Sequence, residues 1–161
     1  MTVIRPARPT DVAEIVAMIR ELAEFERALD QCTVTEAQLH AALFGPEPVA
    51  SGFVVEIDGA VAGTAVWFVN FSTWDGVGGI HLEDLYVRPA FRRRGLARAL
   101  LAELARVCVT RGYTRLSWAV LKWNVDAIAL YDAVGGVPQH EWTGYRVSGA
   151  ELTALAEEAR P

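Results

Sequence analysis

The stretch His81-Leu82-Glu83-Asp84-Leu85-Tyr86-Val87-Arg88-Pro89-Ala90-Phe91-Arg92-Arg93-Arg94-Gly95-Leu96-Ala97-Arg98-Ala99-Leu100-Leu101 decides how the chain is read. It reads as strand, turn, helix. Leu82, Leu85, Tyr86 and Val87 favour a pleated, half-buried strand. Pro89 lacks the N–H that a central ladder needs, so the strand stops near it. After Gly95 the apolar period changes, and Leu96, Leu100, Leu104, Val107 and Cys108 fall on one helical face. Between strand and helix lie Arg92, Arg93 and Arg94, then Gly95 and Ala97 with minimal side chains.

The turn has a specific chemistry. The first backbone N–H groups of a helix have no intrahelical acceptor, and the helix dipole is positive there. An anion docks if side chains leave room. Gly95 and Ala97 leave room, and three arginines add charge, which makes a phosphate or pyrophosphate cradle. No Gly-Lys-Ser/Thr follows, so it is not a Walker loop, and it is not G-x-G-x-x-G. The plainer alternative is a solvated basic turn opening a surface helix. Three adjacent arginines beside two tiny residues favour the cradle. Its spacing, Arg92-x-x-Gly95-x-Ala97, resembles the acetyl-CoA signature (Arg/Gln-x-x-Gly-x-Gly/Ala) of the GNAT N-acetyltransferase family.

Length and composition set bounds. A chain of 161 residues fits one domain, residues 1–161, with a real core. Its hydrophobic fraction of 52% and charged fraction of 22% are ordinary for a globular protein. No apolar run reaches about 18 residues, so no membrane span is expected. Met1-Thr2-Val3-Ile4-Arg5-Pro6 lacks a signal-peptide pattern, and Cys32 and Cys108 form no motif. A reduced, cytoplasmic setting is therefore expected. His40, His81 and His140 have no metal-ligand spacing, so no metal is expected. Net charge is −5, unevenly spread: residues 1–80 hold 4 Arg and 11 acids, while residues 81–161 hold 11 basic and 9 acidic residues. An acidic balance argues against nucleic acid as the main partner. The asymmetry is either chance on solvated faces or a bipolar cleft, with an anionic cosubstrate at one side and a cation at the other.

Along the chain, Val3 to Arg8 reads as a first strand. Thr10 can cap a helix from Asp11 to about Ala28, whose stripe is Val12, Ile15, Val16, Ile19, Leu22 and Ala23. Thr35-Glu36-Ala37-Gln38 is a capping box for a helix ending near Phe44. Phe53–Ile57 and Val61–Phe71 read as strands about an Asp58-Gly59 hairpin turn, followed by a loop from Ser72 to Gly79. Beyond the central unit, Thr114–Val120 reads as a strand. Asn124 caps a helix to about Val134, ended by Gly135-Gly136. Val137–Val147 is broken and partly strand-like, and Ser148-Gly149-Ala150-Glu151 is a capping box for a last helix to about Ala159. The expected fold is α/β (α+β): a mixed, mostly antiparallel central sheet flanked by helices.

Several separated segments resemble the diamine (spermidine/spermine) and thialysine acetyltransferase branch of the GNAT family. They are Ile4-Arg5-Pro6-Ala7, Glu21-Leu22-Ala23-Glu24-Phe25-Glu26, Leu82-Glu83-Asp84-Leu85-Tyr86-Val87 and Trp123-Asn124-Val125-Asp126-Ala127-Ile128-Ala129-Leu130-Tyr131. The resemblance implies acetyl-CoA as cosubstrate. It puts Leu85, Tyr86 and Val87 on the pantetheine arm, with Asn124, Asp126 and Ala127 opposite. Arg92, Arg93, Arg94, Gly95, Leu96, Ala97 and Arg98 hold the pyrophosphate. Tyr131 matches the general acid, and Phe25, Glu26, Glu83 and Asp84 face the amine. The branch usually has Tyr where this chain has Phe25, and Gln139–Arg146 fits only loosely. A homodimer is implied by the resemblance alone.

The residues themselves leave choices open. Acyl transfer to an amine needs a neutral nitrogen, a thioester held beside it and a proton for the departing thiolate. Tyr131 lies about two helical turns from Asn124 and can share its side, or it packs in the core; the likeness tips it to the acid. Glu83 and Asp84 are adjacent in a strand, so they point to opposite faces. Glu83 is the choice for a water-relayed base or amine anchor, and Asp84 is available to pair with an arginine. No Cys or Ser with a His partner lies near the motif, so direct attack is expected. The reading is acetyl transfer to a small polyamine, diamine or lysine-like amine. Its rivals are a protein or peptide N-acetyltransferase and a non-catalytic acetyl-CoA sensor.

Overall fold

The computed structural model describes residues 1–159. Strand β1 (Thr2–Pro6) leads into α1 (Val12–Phe25). Thr10 does not cap this entry. Asp11 organises it: its carboxylate accepts the Arg8 N–H at 2.7 Å and the Arg5 guanidinium at 2.7 and 2.9 Å. Arg5 also donates to Glu56 at 2.8 and 3.0 Å, so one guanidinium ties the first two strands to α1. Helix α2 (Glu36–Phe44) carries the expected capping box, with Gln38 N–H donating to Thr35 Oγ1 and Thr35 N–H to Gln38 Oε1.

Three long strands follow: β2 (Ser51–Ile57), β3 (Ala60–Ser72) and β4 (Val77–Val87). Then come α3 (Leu96–Arg111), β5 (Leu116–Ser117), α4 (Val125–Ala133) and α5 (Gly149–Glu157). The sheet runs β1-β2-β3-β4-β5. Its pairs are antiparallel except β4–β5, which is parallel and bridged by α3, as parallel neighbours require.

Both sheet faces are covered. On one, Val55, Ala65, Trp67, Ile80 and Leu82 pack against Leu96, Leu100 and Leu104 of α3. On the other, Val54, Val66 and Tyr86 pack against Val12, Ile15, Val16 and Met18 of α1, with Leu39 and Leu43 of α2.

The first strand and first helix end sooner than expected, at Pro6 and Phe25, and three further lengths differ from the sequence reading. The loop expected to reach Gly79 ends sooner, because β4 starts at Val77. Gly78 and Gly79 suit a strand here because a Cβ on them would come within 2.7 Å of the Tyr113 ring and 2.8 Å of Asn70 Oδ1. The strand expected over Thr114–Val120 pairs only at Leu116 and Ser117. Val137–Val147 forms no strand; from Val137 to Ala159 every residue is exposed.

Candidate active site

The short β5 creates the site. Ile80 N–H donates to Arg115 C=O at 3.0 Å, but past Ser117 the two chains separate while β4 runs on to Val87. The separation opens a cleft of about 590 Å³ between the end of β4, the start of α3, and α4. Register shows which backbone groups face it. Arg88 N–H bonds Ala62 C=O on the β3 side, so Val87 and Leu85 point the other way, to the open edge.

A bulge makes that possible. Leu82 pairs with Trp67 and Asp84 with Val66, which leaves Glu83 as an extra residue in β4. Without it, Ile80 and Leu82 could not share an edge with Leu85 and Val87. The bulge also revises the simple alternation expected of Glu83 and Asp84. Glu83 is pushed to the cleft wall with its side chain 59% exposed.

At one end of the cleft is the cradle. Gly95 adopts φ 74°, a left-handed conformation that suits glycine, and caps α3 with no side-chain bond to the helix. A Cβ there would meet nothing within 4 Å. From Arg93 to Arg98 no backbone N–H has an acceptor among the described residues; the next, Ala99 N–H, bonds Gly95 C=O at 3.0 Å. Arg93, Gly95, Leu96, Ala97 and Arg98 line the wall. Two arginines behave otherwise. Arg94 lies over the Phe91 ring at 5.9 Å, outside the wall. Arg92 turns back: its Nε donates to Val87 C=O at 2.9 Å and its guanidinium sits 5.7 Å from the Phe25 ring and 5.6 Å from Tyr86. Arg92 braces the junction of α1 and β4, and its own N–H is taken by Pro89 C=O at 3.2 Å.

Across from β4, Asn124 caps α4 by accepting the Ala127 N–H at 3.3 Å, and Asn124, Asp126 and Ala127 line the wall. Trp123 beside it packs at a tilt on Phe25 at 5.5 Å, with the Arg27 guanidinium over its ring at 5.0 Å, so aromatic contacts join the α1 side of the cleft to the α4 side.

The other end is acidic. Glu26, at the C-terminus of α1, and Glu83 line the cleft with Tyr131. Tyr131 packs on Trp118 at 4.9 Å. Burial raises its phenol pKa, and the Glu26 charge raises it further, so it stays protonated. Burial also raises Glu26. Asp84 shares the sheet face of Tyr86 and stands behind the wall. No arginine reaches it, against expectation. Its carboxyl is pushed up to about 6 by burial, then by the charges of Glu83 and Glu26.

The sequence reading missed Trp118, Ala119 and Val120, which line the cleft where a strand was expected, and Phe91. Their only signal was apolarity, beside the Trp-Asn segment for Trp118 to Val120 and beside the arginine run for Phe91.

The sequence profile of the Acetyltransferase (GNAT) family matches residues 15–135. The chain belongs to the GNAT family. It is 39% identical over 153 residues to a thialysine N-epsilon-acetyltransferase of Caenorhabditis elegans, covering 93% of this chain and 94% of that one. It is 28% identical to an L-ornithine N5-acetyltransferase of Arabidopsis thaliana, covering 94% and 86%. A V. cholerae integron cassette protein has the same fold, with a TM-score of 0.81 at 23% identity over 98% of both chains. As a GNAT protein, this chain is an acetyl-CoA-dependent N-acetyltransferase. Among the described residues no helix is long and apolar enough to cross a membrane.

Proposed function

We propose that this GNAT enzyme acetylates a primary amine of a small molecule carrying a second cationic centre: a diamine, polyamine or lysine-like amino acid such as thialysine. The observation that carries the reading is the bipolar cleft. One end offers free N–H groups, Arg93 and Arg98 to a pyrophosphate; the other sets Glu26 and Glu83 on the wall with Tyr131, and Asp84 stands behind them. The relatives' names point the same way, since thialysine and ornithine are both small amino acids with a second amine.

In this account the pantetheine arm lies along Leu85, Tyr86 and Val87, taking the ladder bonds that β5 leaves open, with Asn124, Asp126 and Ala127 opposite. Glu26 holds the ammonium groups by charge, and Asp84 adds its field from behind the wall. Glu83 removes a proton from the attacking nitrogen, directly or through water. The nitrogen lone pair then attacks the thioester carbonyl, the C–S bond breaks, and Tyr131 protonates the thiolate. Tyr131 regains its proton from the nitrogen, so one proton leaves to solvent per turnover.

The exposed C-terminal segment, with Trp142, Tyr145, Leu152 and Leu155 open to solvent, supports a homodimer in which a second copy covers it. The free thiols Cys32 and Cys108 suit a cytoplasmic setting.

The test is thiol release from acetyl-CoA across thialysine, ornithine, spermidine, matched monoamines and lysine-containing peptides. Amines with a second cation should exceed matched monoamines at least about tenfold in kcat/KM, which is about 1.4 kcal/mol. A preference for peptides, or equal use of monoamines, would overturn the reading.

A further inference from the structure

One cluster beside the cleft has no part in the steps above. His81, two residues before the bulged Glu83 on β4, is outside the cleft wall and 30% exposed. Its ring packs on Phe68 of β3 at 5.1 Å. Its Nδ1 lies 3.2 Å from Ser117 Oγ, and that hydroxyl donates to Ile80 C=O at 3.4 Å. A hydroxyl whose hydrogen is given to a carbonyl has only lone pairs left for the ring. In that arrangement Nδ1 carries the hydrogen, and the neutral ring presents a bare Nε2. That nitrogen is directed at Glu83, 3.8 Å from Oε2. The parallel β4–β5 pair fixes this arrangement, since His81 and Ser117 are register partners.

We propose that His81 is a positioning residue that relays the reaction proton from Glu83 to solvent. The inference rests on the reading of Glu83 as the group that takes the amine proton. Once acetyl-CoA and amine fill the cleft, water is displaced from the inner side of Glu83, while the His81 ring, outside the wall, keeps its solvent contact. The substrate ammonium gives its proton to the Glu83 carboxylate. A small rotation brings the resulting carboxylic acid onto Nε2, which takes the proton and becomes imidazolium. The imidazolium loses one proton to bulk water and Glu83 returns to carboxylate. No other bond changes in these steps. The groups facing the imidazole are Glu83 on β4, Phe68 on β3 and Ser117 on β5, so Glu83 is its charged neighbour. Asp84, one residue beyond Glu83, titrates at about 6 and contributes its own ionisation to any acid-side profile.

The test uses the full chain with Asp84→Asn as the background that removes that second ionisation. His81→Ala and His81→Asn should each lower kcat by about tenfold, below the ~10²–10⁴-fold of a group acting on substrate itself. Acetyl-CoA affinity by calorimetry should be unchanged, which also reports that the fold is intact. Free imidazole in the assay should restore His81→Ala to within about threefold of its parent and should leave Glu83→Gln where it was. A histidine variant with undiminished kcat, or a loss that imidazole does not repair, would overturn the relay. If instead Glu83→Gln is itself fully active, the reading of Glu83 fails and the relay with it, so the two failures are told apart.

Discussion

Asp84→Asn should make the protein more stable and less active, and the size of the first effect follows from the site. Asp84 is half-buried with two like charges near it and no cation, and its carboxyl is raised from 3.8 to about 6. A carboxyl raised on folding weakens the fold in its ionised form. The sign is fixed: stability is lost as pH climbs from 3.8 to about 6, and the loss is complete above that. At about 1.4 kcal/mol per unit, the ionised carboxylate costs up to about 3 kcal/mol near neutral pH. Asparagine keeps the shape and removes the charge. For a domain of this size each kcal/mol moves Tm by about 2–4 °C, so Asp84→Asn should melt about 5–10 °C higher at about pH 7.5. At about pH 3.5, where aspartate is largely protonated in both states, the two proteins should melt together. Scanning calorimetry at both pH values measures this. A variant destabilised at pH 7.5, or one whose advantage is the same at both, would refute the reasoning. Activity should fall in parallel, because the same charge attracts the amine, which is the trade expected where function requires a strained charge.

Gly95→Glu places bulk and a negative charge where the pyrophosphate is expected, and acetyl-CoA affinity by calorimetry should fall at least about tenfold, or 1.4 kcal/mol. Gly112→Ala is its control: that residue has φ 68° and open space at its Cβ, so it suffers the same backbone strain without touching the cleft. Glu26→Gln removes a charge that raises both Asp84 and Tyr131, so the acid limb of kcat/KM should move to lower pH while KM for dications rises. Asp11→Ala leaves the half-buried Arg5 guanidinium with Glu56 alone and should cost about 1–3 kcal/mol in a denaturant titration. The pairing holds Asp11 below its ordinary 3.8, so the stability it supplies is present above that value and lost as pH falls below it.

What was legible in the sequence was local. The turn of α3 could be read because glycine at a left-handed cap, small residues after it and a period change all lie within a few positions. The capping box at Thr35 likewise needs only Gln38. The bulge was not legible, since the extra residue at Glu83 is defined by which residues of β3, Trp67 and Val66, its neighbours pair with. The early end of β5 was hidden for a related reason. Thr114 to Val120 has good strand propensity, and only the geometry of the sheet shows that the chain leaves β4 and opens the cleft. Arg92 looked like a phosphate ligand because its neighbours do; its aromatic partners, Phe25 and Tyr86, come from distant parts of the chain. The burial of Asp84 without a cation has the same origin, since Glu26 arrives from the end of α1.

The central claim is that Tyr131 supplies the leaving-group proton at the meeting point of the two ends of the cleft. The most direct measurement compares kcat and acetyl-CoA affinity for Tyr131→Phe and wild type, side by side. Removing one hydroxyl leaves the tilted ring contact with Trp118 in place, so affinity should stay within about twofold while kcat falls by about 10²-fold or more. A kcat within a few-fold of wild type would contradict the account and make Tyr131 a packing residue.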